Sequence, residues 1–203
     1  DLCDVVIAKN ELSDLQTNLV RSHAVAIGPE LEPNLVSSMM LARANALAVG
    51  ASGVRTILVE RILDLVRQKA IPVVPRIGSL GASGDLAPLA HIALALIGEG
   101  EMMFFESNCW NRYSSLDLHT KLRLDPLKLE PKEGLSLLNG TSLQVAYAAH
   151  TIERCSNLSN AADAALSLTI LAIGQSLDPF QHELHLLRPQ PNQIDVSLRV
   201  NQW

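Results

Sequence analysis

The chain has 203 residues, of which 48% are hydrophobic and only 3% aromatic, and its formal net charge at pH 7 is −5. This length allows one domain with a sizeable core, which must be built from Leu, Ala, Ile and Val, residues that pack well between close helices. The acidic balance and the absence of a Lys/Arg run argue against a nucleic-acid partner. The composition therefore favours an all-α fold.

The cysteines and the apolar runs indicate in which cellular compartment the protein is expected. Cys3, Cys109 and Cys155 are an odd, widely spaced set with no Cys-x-x-Cys pair, which suits a reducing compartment and argues against the usual zinc arrangements. No apolar run reaches membrane-spanning length, and the start shows no basic region followed by an apolar core and a cleavage site. We therefore expect a cytoplasmic protein with no membrane partner and no metal.

Apolar spacing predicts two or three helices within the first 70 residues. The first runs up to about residue 27, where Gly28-Pro29 breaks the pattern. Residues 35–70 are strongly helical and form either two helices or one with a bend. Residues 71–83 contain two prolines among β-branched residues and should be extended or looped.

The next helix is predicted over residues 86–97 and is apolar almost all round, so other helices should surround it. Asp85 is placed as its N-cap, and Pro88 is tolerated in its first turn. His91 is expected to be a hydrogen-bonded core histidine. The unpaired N–H groups of the helix start would favour negative charge developing at the preceding turn, residues 78–84.

The second half of the chain is less regular. Residues 101–131 show no sustained period and are predicted to be an irregular surface excursion, with a short hairpin as the alternative. From about residue 143 the pattern predicts one long, largely buried helix, or two in succession. His182 and His185 do not have the His-Glu-x-x-His spacing of a zinc site, and prolines crowd the segment, so we expect no metal there.

The turn before the 86–97 helix contains three small residues, Ala82-Ser83-Gly84, that could react with one another. The backbone nitrogen of Gly84 can attack the carbonyl carbon of Ala82, because Gly lacks the Cβ that would prevent so tight a bend. Loss of one water closes a five-membered ring, and loss of a second from the Ser83 hydroxyl leaves a methylidene-imidazolone, which is an electrophile. Ala-Ser-Gly by itself is a common tripeptide that ordinarily forms a flexible turn.

The longer run from Gly78 to Leu89, Gly-Ser-Leu-Gly-Ala-Ser-Gly-Asp-Leu-Ala-Pro-Leu, resembles the signature of the aromatic amino acid ammonia-lyases at every residue. Three other segments are similar to motifs of that family, in the family's order: 15–23, 132–141 and 185–193. The last segment has Asn192 where Gly is usual. The resemblance covers nearly the whole chain, and it implies an all-α fold, an elongated bundle of long helices with a loop carrying the tripeptide.

The resemblance also implies roles for particular residues. Ala82, Ser83 and Gly84 would be the catalytic precursors of a methylidene-imidazolone that forms autocatalytically, with no external cofactor. Asn139 would lie beside this group and support it or the bound substrate. Asp85 would support ring formation in addition to its role as a cap. Because family members assemble their active sites from several subunits, the resemblance implies a homotetramer.

The pair Ser22-His23 bears on the substrate. In the family this position selects among aromatic side chains, and Ser-His resembles the histidine-specific members, which convert L-histidine to urocanate and ammonia. A neutral imidazole can exchange a hydrogen bond with the imidazole of the substrate, whereas Phe would supply only an apolar wall. The alternative interpretation is a histidine on a helix surface.

Two other functions stay open. One is a tyrosine or phenylalanine ammonia-lyase, or an aminomutase, that uses the same group. The other is a non-catalytic helical assembly module in which the tripeptide never cyclises. Family members are longer and carry a Tyr-Gly loop, a Gln-x-x-Tyr-Ser-x-Arg region and a Glu, and neither Tyr113 nor Tyr147 lies in such a motif. We therefore expect a fragment of a longer lyase that is inactive alone.

Overall fold

The computed structural model describes residues 7–8 and 11–202, so Cys3 lies outside the described residues. Contacts between residues divide the chain into two compact units, Asp1–Ala148 and Ala149–Trp203. The prediction that residues 1–203 form one helical domain or a large fragment of a longer chain stays a prediction.

Helices dominate the first unit, which confirms the helical fold. Those lying wholly within it are α1 (Leu12–His23), α2 (Pro33–Ala48), α3 (Thr56–Arg67), α4 (Leu86–Leu96), α5 (Ser115–Leu122) and α6 (Glu133–Leu138). Of the two alternatives predicted for residues 35–70, two helices is the one observed, and Gly50 and Gly53 in the connection have φ of 82° and 70°. These values lie in the left-handed region that Gly adopts without strain.

The first helix is shorter than predicted. It ends at His23, because residues 27–30 form strand β1 (Ile27–Glu30) instead of a last helical turn. The region 71–83 is extended as predicted and contains β2 (Ala70–Pro72) and β3 (Pro75–Ile77). Strand β3 pairs antiparallel with β1, which satisfies backbone groups that a continued helix would have satisfied internally.

Residues 101–131 contain the short hairpin that was the alternative prediction for this segment, and they are not irregular over most of their length. Strands β4 (Glu101–Glu106) and β5 (Cys109–Ser114) form an antiparallel hairpin, and α5 follows directly. Ser107 and Asn108 make the tight turn, both at positive φ. The usual Asn-Gly or Asp-Gly signal of such turns is absent, so the pattern did not show the hairpin clearly. Strand β2 pairs with β4, giving a sheet in the order β2-β4-β5.

The core of the first unit lies between α2, α3 and α4 and against β2. Its largest fully buried side chains include Met39, Met40, Leu47, Leu58, Ile62, Leu65, Leu89, Ile92 and Leu96. Helix α4 is buried almost all round and packs against α1 and α6, as its apolar sequence predicted. His91 differs from its prediction, since its buried Nε2 has no hydrogen-bond partner among the described residues.

The second unit contains the remaining helical segments. Helix α7 (Ser142–Ala172) begins in the first unit, and the second adds a 3₁₀ turn at Asp178–Phe180, α8 (His182–Leu186) and α9 (Pro191–Gln202). Arg199 of α9 donates to the Asp163 carboxylate of α7 at 2.6 Å. The prediction of a largely buried α7 is wrong here, because residues such as Leu158 (71% exposed) face outwards. Among the described residues, no helix is long and apolar enough to span a membrane.

Candidate active site

The tripeptide lies in the loop between β3 and α4, next to the end of α1. A cavity of about 290 Å³ is lined by Ala82, Ser83 and Gly84. The rest of its lining comes from the end of α1 and the residues just after it (Ser22, His23 and Val25), from the loop (Gly78 and Leu80) and from the start of α4 (Leu86 and Ala87). Ala82 and Ser83 are exposed, whereas Gly84 is buried. The structure therefore brings His23 and the tripeptide together in one cavity.

Gly84 is the most constrained residue of the tripeptide. Its φ is +118°, a value that side chains other than Gly rarely allow. A Cβ added there would lie 2.7 Å from the carbonyl oxygen of Gly140 and 2.9 Å from its nitrogen. Conformation and close approach therefore both require glycine at this position.

Asp85 begins α4, but its side chain caps a different helix. It occupies the N-cap position of α4 and makes no side-chain hydrogen bond to that helix, which corrects the predicted cap. Its fully buried carboxylate accepts from the backbone N–H groups of Leu143 at 2.8 Å and Gln144 at 3.2 Å, in the first turn of α7. Ser79 Oγ also donates to it at 2.7 Å. The buried carboxylate is thus stabilised by a helix N-terminus, where negative charge is favoured.

Asn139 lies beside the loop but outside the cavity. It is the exposed C-cap of α6, and its side chain makes no hydrogen bond within the described residues. Its neighbour Gly140 makes the contact with the loop, because the Gly140 carbonyl accepts from the Asp85 backbone N–H at 2.7 Å. The structure therefore places Asn139 next to the tripeptide segment without bringing its amide to the cavity.

The His23 ring is held in one orientation by its own helix. Its Nδ1 lies 2.9 Å from the Leu19 carbonyl oxygen and 3.0 Å from Ser22 Oγ, and Ser22 Oγ also donates to Leu19 at 2.8 Å. A carbonyl only accepts, so the network assigns the proton of the neutral ring to Nδ1. Nε2 is then an acceptor, and it has no partner among residues 7–8 and 11–202.

Three buried polar residues that the sequence analysis did not single out hold α6 in place. Gln16 of α1 accepts from the Gly134 N–H at 3.0 Å, and Glu133 accepts from Arg55 Nε and Nη2, each at 2.8 Å. Arg43 of α2 donates to the carbonyl at Ser136. The sequence pattern that could have identified them is a polar residue at a position where the helical period predicts a buried side chain, such as Arg43 among the apolar residues of α2.

The Glu133 carboxyl is ionised in a buried position. Its side chain is 1% exposed, and burial alone would raise its pKa. The hydrogen bonds from Arg55 and from the Glu130 backbone N–H outweigh that effect and hold the pKa of Glu133 below its ordinary value. Helix α6 is therefore fixed at its start by an ion pair and near its end by Arg43.

Among the residues that the structure describes, no cluster of three or more His, Cys, Asp or Glu side chains could hold a metal ion. The polar side chains that line the cavity beside the tripeptide are those of Ser22 and His23.

Comparisons with known proteins agree on one family. The sequence model of the family described as aromatic amino acid lyase matches residues 1–203. The histidine ammonia-lyase of Bacillus subtilis (strain 168) is 42% identical over 197 residues, which cover 97% of this chain and 38% of that protein. This chain thus spans well under half the length of that relative.

Solved structures of two enzymes with different activities match the fold of this chain with the same TM-score. The histidine ammonia-lyase from Trypanosoma cruzi has a TM-score of 0.88 at 31% identity, over 97% of this chain and 38% of that one. The tyrosine aminomutase from Streptomyces globisporus has a TM-score of 0.88 at 35% identity, over 98% of this chain and 37% of that one.

Proposed function

The chain belongs to the aromatic amino acid lyase family, and from this premise we propose that it is the electrophile-forming part of a histidine ammonia-lyase. The reaction is the elimination of ammonia from L-histidine to give urocanate. One observation carries the proposal: His23 and the Ala82-Ser83-Gly84 tripeptide line the same cavity. The curated relatives at about 40% identity that carry the name histidine ammonia-lyase support the choice of substrate.

The tripeptide residues fit a methylidene-imidazolone. Gly84 has the positive φ and the close backbone approach described above, and the Ser83 side chain is exposed, so its hydroxyl can leave as water. Once formed, the group supplies an electron sink that ordinary side chains lack. The N-terminus of α4 directly follows the tripeptide and favours negative charge that develops beside it.

His23 would orient the substrate. Because Nδ1–H is engaged by the Leu19 carbonyl, the ring offers Nε2 as an acceptor. An imidazole N–H of L-histidine can donate to it, whereas the phenyl ring of phenylalanine has no donor. A phenol hydroxyl can also donate, so the acceptor favours histidine and tyrosine over phenylalanine.

Among the described residues that line the cavity, His23 is the one side chain that could act as a base, and it is assigned to the imidazole of the substrate. No carboxylate, Tyr or Lys side chain lines the cavity, so a separate base for the poorly acidic β-proton has to come from elsewhere. We propose that the base and a group for the substrate carboxylate come from the rest of a longer chain or from other subunits of a homotetramer. The exposed free thiols of Cys109 and Cys155 suit the proposed cytoplasmic location.

The proposal is tested by the mass of the peptide Ile77–Arg112 from the full-length protein. We expect a mass two waters below that of the unmodified sequence, together with release of urocanate from L-histidine. Ser83→Ala is the matched variant, because Ala has no hydroxyl to eliminate and can lose at most one water. Activity of this variant should fall by many orders of magnitude while its unfolding midpoint stays near that of the parent. An unmodified parent peptide refutes the proposed electrophile.

A second candidate is a tyrosine-specific lyase or aminomutase. The tyrosine aminomutase match favours it, and so does the acceptor at His23, which a phenol can also use. Incubating the full-length protein with each amino acid and separating α-amino from β-amino products distinguishes the two. β-Tyrosine as the main product would replace the histidine assignment.

A further inference from the structure

Arg43 of α2 is a buried cation that has no acidic partner within the described part of the chain. The residue is 6% exposed, and none of the ion pairs among the described residues includes it. Burial lowers the pKa of the Arg43 guanidinium, because the surroundings oppose its charge. A cation removed from water is costly unless hydrogen bonds replace the water that it loses. The contacts that Arg43 makes therefore indicate what this buried charge holds in place.

The two Nη groups of Arg43 lie against α6 and the residues that follow it, whereas its buried Nε has no hydrogen-bond partner among the described residues. Nη2 donates to the carbonyl oxygen of Ser136. Nη1 occupies the space next to Gly140, since a Cβ added to Gly140 would overlap with Nη1. A planar guanidinium can contact two points of a turn at once, which the single ammonium of a lysine does less well.

Gly140 is also the residue against which Gly84 lies. Its carbonyl accepts from the Asp85 N–H at 2.7 Å, and a Cβ on Gly84 would lie 2.7 Å from the same oxygen. Arg43 and the tripeptide segment thus contact one shared residue. A displacement of Gly140 would remove the backbone that Gly84 packs against.

We infer that Arg43 is a positioning residue that holds the backbone of Gly140 against Gly84 and so sets the bend at which the tripeptide closes. The part of the inference that concerns ring closure rests on the proposed function. The packing of Gly140 can be measured whether or not the ring forms.

The first test is hydrogen exchange at the Asp85 amide in the full-length protein, because this amide donates to Gly140. Arg43→Met keeps an apolar stem of similar length and removes the charge with its donors. We expect protection of this amide to fall about tenfold, as for the loss of one hydrogen bond. Arg61→Met is the control, since Arg61 donates to the Asp125 carbonyl outside this turn. Unchanged protection in folded Arg43→Met overturns the inference.

The second test is a double-variant cycle with Gly140→Ala. The added methyl group falls where Nη1 lies, so each single variant should lower protection of the Asp85 amide. Met at position 43 leaves room for that methyl group. The double variant should therefore lose less protection of the Asp85 amide than the sum of the losses in the two single variants. Independent losses would show that the two residues do not act on each other and would overturn the inference.

The third readout is the ring itself. In a parent protein that shows the two-water loss, Arg43→Met should lower the modified fraction of the peptide Ile77–Arg112 about tenfold relative to Arg61→Met. An equal modified fraction in both variants overturns the link to ring closure. If the parent peptide is unmodified, the proposed function fails, and the exchange and double-variant results decide the role of Arg43 alone.

Discussion

The Asp85 carboxylate accepts a hydrogen bond from the Leu143 backbone N–H at 2.8 Å, across 58 positions of the sequence. The residue that follows the tripeptide therefore starts α4 with its backbone and caps α7 with its side chain. Because this carboxylate is fully buried, the loop that carries the tripeptide is joined to the N-terminus of another helix. Changes at Asp85 should consequently act on the fold as well as on the loop.

Asp85→Asn tests that join. The amide cannot accept from two N–H groups and Ser79 Oγ as the carboxylate does, and its own NH₂ would face donors. We expect a loss of about 1–3 kcal/mol in the free energy of unfolding, measured by urea denaturation. Asp64→Asn is the matched control, since Asp64 pairs with Arg67 on the surface, and it should cost at most about 0.5 kcal/mol. Equal losses would contradict a structural role for the buried carboxylate.

Gly84→Ala should be more harmful than the same change at another glycine of positive φ. Gly50 has φ +82° and open space around the position of a Cβ, so Gly50→Ala should show only the backbone strain, about 1–2 kcal/mol. Gly84→Ala adds an overlap with the Gly140 backbone, which should cost about 1–3 kcal/mol more in the free energy of unfolding. Urea denaturation of both variants measures the difference. Similar losses would mean that Gly140 moves aside easily.

His23→Phe tests the acceptor at the end of α1. We expect kcat/KM of the full-length enzyme on L-histidine to fall about ten- to a hundredfold more than on L-phenylalanine, because the polar edge of the imidazole is left unpaired. His23→Gln is the companion variant, since its side-chain oxygen can still accept a hydrogen bond, and it should retain more of the preference for histidine. An equal decrease of kcat/KM on both substrates would show that His23 only packs in the cavity and does not select the substrate.

Glu133 should make stability depend on pH in the acid range. Its pKa is lowered in the folded protein relative to an ordinary value of 4.5, so the unfolded chain binds the proton more readily. The stabilisation is therefore present above pH 4.5 and is lost as the pH falls through the folded pKa. Urea midpoints between pH 7 and pH 3 measure this loss. Glu133→Gln should be less stable at pH 7 and should show a flatter pH dependence, and an unchanged slope would contradict the prediction.

His119 should affect stability at a higher pH. It is fully buried on α5, neither ring nitrogen has a partner among the described residues, and burial followed by the nearby Arg61 charge lowers its pKa. In the unfolded chain His119 binds a proton near pH 6.5, whereas in the folded chain it stays neutral at that pH. The free energy of unfolding should therefore decrease as the pH falls below 6.5. Comparing unfolding at pH 7.5 and pH 5.5 measures the effect, and His119→Leu should reduce it. The same decrease in this variant would assign the effect to other groups.

Local patterns in the sequence were enough to predict the helical fold, the positions of several helices and the family. Apolar spacing and glycine positions are local signals, so they predicted an interruption between α2 and α3, as two helices or as a bend, and an α4 that is apolar almost all round. The unbroken Gly78–Leu89 motif predicted the family, because its residues are contiguous in the chain. The pair at Ser22-His23 predicted a position that the structure places in the cavity with the tripeptide.

The contacts between groups far apart in sequence come from the tertiary fold. Asp85 had every local feature of a cap for α4, yet its carboxylate found free N–H groups in α7, which local spacing cannot reveal. The sheet of β2, β4 and β5 and the charge of Arg43 inside the core depend in the same way on pairings between segments far apart in sequence. A buried polar group forms hydrogen bonds with the partners that the fold brings within reach, and these partners can be far away in the sequence.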